Sequence, residues 1–271
     1  MRGRSVSLPP VLLLGAGRMG GAMFAGWAAR GLAPSVLVDP SMPAGLARPG
    51  DILVPAVGGV PDGFSPAAVV LAIKPQMAEA ALPPLGRILP AGAVILSVLA
   101  GKTIAGLARL IGPGAAIVRA MPNTPAAIGQ GMTAACAAHG VTPAQTALCQ
   151  ALLEAVGEVA WVDDEKLIDP ITAVSGSGPA YVFLLAELLE QAGIEQGIPP
   201  AMARQLARKT VQGAGALLDA SPEDASALRM AVTSPNGTTA RALSVLMDAA
   251  AWPANIRAAV QAATARSREL A

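Results

Sequence analysis

Side chains able to do chemistry unaided are scarce in these 271 residues: one histidine, His139, and two cysteines, Cys136 and Cys149. A single imidazole cannot build a zinc site, and two thiols make neither a disulfide framework nor a metal cluster, so no metal is expected. The pattern with chemical content is made of glycines, hydroxyls and one carboxylate. Gly15, Gly17 and Gly20 in GAGRMG form G-x-G-x-x-G between the apolar run VLLLG and the helix-like AMFAGWAARGL. In a dinucleotide-binding turn the first glycine makes the tight bend, the second lets the pyrophosphate reach the backbone, and the third lets helix and strand pack closely. The next apolar run ends at Asp39, nineteen positions after Gly20. An acid there can take the ribose 2′-hydroxyl of NAD, and no arginine follows until Arg48, which leans toward NADH. The alternative is that Asp39 merely begins a turn in DPSMP.

Two further apolar runs end in AIKPQ (72–76) and RAMPNTP (119–125), where Lys74 and Asn123 would face the nicotinamide side of a crevice beyond the strand ends. Proline-capped turns explain the same spacing. SGSGPAYVF (175–183) sets small residues inside a helical pattern, which allows close approach by a helix or ligand. In VTSPNGTTARAL (232–243), Pro-Asn-Gly makes a turn and Thr238 and Thr239 open a helix. Free N–H groups, hydroxyls and the helix dipole converge there on a site for a small carboxylate, unless it is an ordinary helix cap.

The elements that must position these groups divide into two halves. VLLLG (11–15), SVLVD (35–39), VVLAI (69–73), AVILSV (93–98) and AIVRA (116–120) read as buried parallel strands with helical segments between most pairs, hence an α/β domain with right-handed crossovers. The Pro/Gly-rich connection 40–68 leaves room only for a short or irregular helix. GMTAACAA (131–138) and VAWV (159–162) could add edge strands around a helix at 143–156. Beyond VDDEK the pattern is all-helical: a long helix with a Gly-rich interruption from 165, then 199–220, 221–232 with Ser and acids at its start, 238–250 and 252–270. The predicted domains are 1–164 and 165–271.

Composition bounds the function. Nineteen basic and 18 acidic residues leave a net charge of +1, and with one Tyr, three Phe and three Trp the chain lacks a nucleic-acid-binding surface. Mean hydropathy is +0.53. The best candidate for a membrane span, 91–101, is too short and is followed by Lys102. VLLL is too brief for a signal-peptide core. A soluble protein of the reducing cytoplasm is expected, its excess apolar surface buried between subunits.

The ordered set GAGRMG, AIKPQ, RAMPNTP, SGSGPAY and VTSPNGTT resembles pyrroline-5-carboxylate reductase from about residue 11 to residue 268. The resemblance implies an N-terminal Rossmann-type domain and an all-α C-terminal domain that dimerises, with dimers often building decamers. It also implies reduction of 1-pyrroline-5-carboxylate to L-proline, the last step of proline biosynthesis, with NADPH or NADH. By that resemblance Gly15, Ala16, Gly17, Arg18, Met19 and Gly20 bind the cofactor phosphates, and Ala72, Ile73, Lys74, Pro75, Val98, Leu99, Ala100 and Asn123 line the cofactor path. Thr239 matches the substrate-contacting threonine, and Ser234, Gly237 and Thr238 the carboxylate loop; Lys74 joins the catalytic set. Asn236 departs from the family's Ser-Pro-Gly-Gly loop but tolerates positive φ, and Ala231 replaces an asparagine that some relatives carry near the cofactor.

Two other readings compete. A β-hydroxyacid dehydrogenase would carry a catalytic lysine in the first long helix of its second half, and 170–195 contains none. A non-catalytic dinucleotide-binding regulator would not need the intact 232–243 loop.

Overall fold

The computed structural model describes residues 7–42 and 45–270. The chain packs as two compact units, one running to Gly176 and taking in the chain end from Ala263, the other spanning Ser177–Ala262.

The first unit is built on eight strands: β1 (Val11–Leu14), β2 (Val36–Val38), β3 (Ile52–Val54), β4 (Ala68–Leu71), β5 (Val94–Ser97), β6 (Ala116–Met121), β7 (Gly131–Ala137) and β8 (Gly157–Trp161). Their order is β3-β2-β1-β4-β5-β6-β7-β8. The five expected parallel strands form the middle, in register from Leu12 opposite Val36 and Val69 to Leu96 opposite Val118. β7 runs antiparallel to β6, because the nine residues between them are too few for a crossover, and β8 returns parallel to β7 through a helix. The 40–68 connection holds a strand the sequence did not announce. β3, Ile52-Leu53-Val54, is apolar but only three residues long and exposed at the sheet edge, too short a run among the surrounding prolines and glycines to stand out as a buried strand.

Alternation along the strands splits the core in two. Val11, Leu13, Val70 and Leu96 face one side, under Met23, Phe24 and Trp27 of α1 (Arg18–Ala29) and Leu152 of α5 (Pro143–Leu153). Leu12, Leu14, Val69 and Ile95 face the other, under α2 (Ala78–Ala81), α3 (Leu85–Ile88) and α4 (Ile104–Ile111). The Trp27 indole N–H donates to the Leu152 carbonyl at 2.7 Å, locking α1 to α5. Thr103 caps α4, and Thr142 with Gln145 forms a capping box on α5, which is why these helices begin where they do.

The unit also takes in the residues just after 164. A 3₁₀ turn (Glu165–Leu167), α6 (Ile168–Ile171) and a π-helical turn (Thr172–Gly176) belong to it, with Ile168 buried against Ala134 and Cys136. Ser267, near the end of the last helix, donates to Asp169 at 2.8 Å.

The second unit is helical. α7 (Gly178–Glu195) packs on α8 (Pro200–Ala220), followed by α9 (Ala225–Ala231), α10 (Thr238–Leu246) and most of α11 (Trp252–Glu269). α9 corrects one expectation. The helix starts at Ala225 after Asp224, not at Ser221, whose hydroxyl instead accepts from the Glu223 N–H in a preceding turn. By length and composition alone the helical run Glu165–Glu195 is apolar enough to cross a membrane, but Gly, Ser and Pro interrupt it, so it does not read as an unbroken span.

Candidate functional site

The carboxyl ends of β1, β2, β4, β5 and β6 gather the predicted cofactor residues at one edge of the sheet. The order turns back between β1 and β4, the place where open α/β sheets bind ligands. Gly15 has φ +91°, and a Cβ there would lie 2.6 Å from the Ala72 carbonyl oxygen, so only glycine fits. A Cβ on Gly20 would overlap the Gly15 carbonyl, so this glycine sets the helix-to-strand spacing. Gly17 differs: a Cβ there would meet nothing within 4 Å, leaving open space before the start of α1. One crowded bend, one open position and one close contact are what a pyrophosphate cradle requires, and the residues fit a dinucleotide.

Asp39 follows β2. Its Oδ2 accepts the Ala16 N–H at 2.7 Å and its Oδ1 accepts the Ser41 N–H at 2.8 Å. Beside it, Val38, Pro40, Val57, Ile73, Met77 and Ala80 line an apolar hollow of about 510 Å³. No local pattern announces this hollow, because its walls come from segments brought together only by strand order.

The other predicted residues serve unequally. Lys74 is exposed after β4, Ala72 and Ile73 are half-buried, and Pro75 starts a 3₁₀ turn. Val98 is half-buried and Ala100 exposed, while the Leu99 side chain lies in the core. Met19 likewise packs against the core, and Arg18 is exposed in the first turn of α1. The Asn123 amide is already engaged: Oδ1 accepts the Met132 N–H at 2.9 Å, and Nδ2 donates to the Ser175 carbonyl and hydroxyl at 3.3 Å. Asn123 thereby clamps the end of β6 to β7 and to the π-helical turn, a partner for Ser175 that spacing did not reveal.

In the helical unit, Asn236 has φ +58°, the only positive φ among the described non-glycine residues, so the departure from Gly is accommodated as expected. A Cβ on Gly237 would overlap the Ser234 hydroxyl, and the Gly237 N–H donates to the Ser234 carbonyl at 3.1 Å. Gly237 caps α10 without any side-chain hydrogen bond to the first-turn N–H groups. Those donors lie beside the exposed Thr238 and half-buried Thr239 at a helix start, where backbone N–H groups and the helix dipole can accept an anion.

Neither thiol is available as a nucleophile. Burial pushes Cys149 up to about 12, and burial chiefly, with the carboxylate of Glu165 adding, raises Cys136. His139 is exposed in the loop after β7. Among the described residues no three His, Cys, Asp or Glu side chains gather as a metal site requires.

Residues 165–270 match the family model described as pyrroline-5-carboxylate reductase dimerisation, and residues 10–101 match that of NADP oxidoreductase, coenzyme F420-dependent. The chain is 37% identical to the pyrroline-5-carboxylate reductase of Pseudomonas aeruginosa over 270 residues, 98% of each chain. Among solved structures, that of a pyrroline-5-carboxylate reductase from Coxiella burnetii superposes with a TM-score of 0.86 at 31% identity, covering 96% of this chain and 98% of that one. The Plasmodium falciparum pyrroline carboxylate reductase with NADP bound superposes with a TM-score of 0.80 at 26% identity, covering 96% and 99%.

Proposed function

The chain belongs to the pyrroline-5-carboxylate reductase family, and from that premise we propose that it reduces 1-pyrroline-5-carboxylate to L-proline with NADPH or NADH, closing proline biosynthesis. The observation that carries the reading is the pairing, in one chain, of the open Gly17 cradle with the uncapped α10 turn. One suits a dinucleotide and the other a small carboxylate.

When bound, the dihydronicotinamide supplies the hydride that reduces the imine carbon C5, while the ring nitrogen carries the proton. The protein then has three tasks. Gly15 to Gly20 hold the pyrophosphate against the start of α1, and Ala72, Ile73, Lys74, Pro75, Val98 and Ala100 line the coenzyme's path. The Thr238 and Thr239 N–H groups take the substrate carboxylate, and the Thr239 hydroxyl donates to it or hydrogen-bonds the ring nitrogen. A protonated imine is already electrophilic, so orienting the bound groups lowers the barrier without a strong acid or base. This explains why buried thiols and one exposed histidine suffice.

The functional division follows 1–164 for the dinucleotide and 165–271 for substrate and self-association. α7 supports the latter: none of its residues is buried, and Val182, Phe183, Leu184 and Leu188 are exposed. Such a face suits a second copy of the chain, as a dimer and in larger rings up to a decamer, in the cytoplasm. With pyrroline-5-carboxylate supplied, oxidation of the reduced coenzyme accompanied by equimolar proline is the expected result. A folded, coenzyme-binding sample that makes no proline would overturn the reading.

A further inference from the structure

We propose that Asp39 makes this protein select NADH over NADPH, by holding a carboxylate where the 2′-phosphate of NADPH would have to sit. The inference rests on the reading that the Gly15–Gly20 turn holds a nicotinamide dinucleotide, and adds which one.

Asp39 is more than an acid at the end of β2. Its two oxygens are pinned by N–H groups from two different segments, Ala16 in the glycine turn at 2.7 Å and Ser41 at 2.8 Å. The charge therefore cannot swing away to admit another anion without breaking both bonds. Ala16 lies between the two glycines of the cradle, so the carboxylate is tied to the segment that receives the pyrophosphate. The apolar hollow begins at its neighbours Val38 and Pro40 and suits an adenine ring. A ring in the hollow and phosphates at the turn bring the adenosine ribose to Asp39. A ribose 2′-hydroxyl can donate to this carboxylate, while a 2′-phosphate would meet it as a like charge.

Among the described residues, the cations nearest Asp39 do not reverse that preference. The segment from Pro40 to Ala47 carries none. Arg48, the next, is committed elsewhere: Nε and Nη2 each donate to Asp51 at 2.9 Å, Nη1 to the Leu32 carbonyl at 2.9 Å and Nη2 to the Ala33 carbonyl at 3.3 Å. Its guanidinium also lies over the Phe24 ring at 5.1 Å. Releasing it would strip the buried Asp51 of its partner. Arg18 stands in the first turn of α1, where the pyrophosphate of either coenzyme arrives, and so does not discriminate.

Equilibrium titration of the purified protein with NADH and with NADPH, followed by calorimetry without substrate, tests this directly. NADH should bind at least ~10-fold tighter, the usual scale for an uncompensated like-charge contact. Asp39→Asn keeps an acceptor for one N–H but removes the charge, and should bring the two affinities within about threefold. Ser41→Arg, at an exposed position, should strengthen NADPH binding while leaving the Asp39–Ala16 bond in place. Equal or tighter binding of NADPH by the wild type would overturn the selectivity, as would an unchanged ratio in a folded Asp39→Asn variant. Binding of neither coenzyme by the folded wild type would overturn the dinucleotide reading along with it.

Discussion

Arg119 on β6 and Glu165 in the 3₁₀ turn after β8 lie 2.9 Å apart, joining the middle of the sheet to the first turn beyond the expected domain boundary. Glu165 also accepts the Ile104 N–H at 2.8 Å, and Arg119 reaches Asp169 at 3.5 Å. Asp169 in turn accepts from Ser267. One buried guanidinium thus organises two carboxylates, the start of α4 and the chain end.

Arg119→Met should therefore cost about 3 kcal/mol, because it leaves the buried Asp169 and half-buried Glu165 carboxylates without their cation. For a unit of this size the melting temperature should fall by roughly 10 °C. Adding Glu165→Gln and Asp169→Asn should recover part of that loss. Thermal unfolding of the single and triple variants measures both.

The three glycines of the turn should separate by mechanism. Gly20→Ala forces a Cβ into the Gly15 carbonyl and should lower stability by about 1–3 kcal/mol. Gly17→Val enters open space, so it should leave the melting temperature near wild type and weaken coenzyme binding roughly 10-fold or more. Denaturant melts beside coenzyme titrations distinguish the two. Equal effects on stability would mean that Gly17 is structural.

At the start of α10, Thr239→Ala should reduce kcat/KM by roughly 10- to 1,000-fold, the scale of one or two lost hydrogen bonds. His139→Ala should leave turnover within about twofold of wild type, since no step uses an imidazole. Steady-state kinetics decide both, and a large loss in the histidine variant would require a general acid.

Acid should weaken the β2–β3 edge. Burial pushes the Asp51 carboxyl up, but hydrogen bonds from the Arg48 side chain and from the Arg48 and Ser35 N–H groups outweigh it and hold the group below its ordinary range. A carboxyl lowered on folding contributes stability that is present above its unfolded value of about 4 and is lost as pH falls through the folded value. Asp51→Asn should lower the melting temperature at neutral pH, and its deficit against wild type should shrink below about pH 4. A constant gap across that range would assign the loss to packing.

By itself the sequence determined the elements whose signal is local. The run VLLL followed by GAGRMG fixes β1, the turn and α1, because burial on both faces demands continuous apolar residues and the bend demands glycine. The order of motifs through SPNGTT likewise identified the family, and Asn236 kept the turn because an asparagine tolerates φ +58°. What tertiary structure decided was everything that depends on which distant segments meet. β3 is exposed and three residues long, so only pairing with β2 makes it a strand. The engagement of Asn123 by Ser175 and the bonds from Arg48 to the Leu32 and Ala33 carbonyls each join side chains to groups beyond their own motif. So does the bond from Ala16 to Asp39, 23 residues apart, which turns an acid at a strand end into a fixed charge. Periodicity reports the environment of a segment. It cannot report a partner, because hydrogen bonds and ion pairs are satisfied by geometry that exists only once the strands have taken their order.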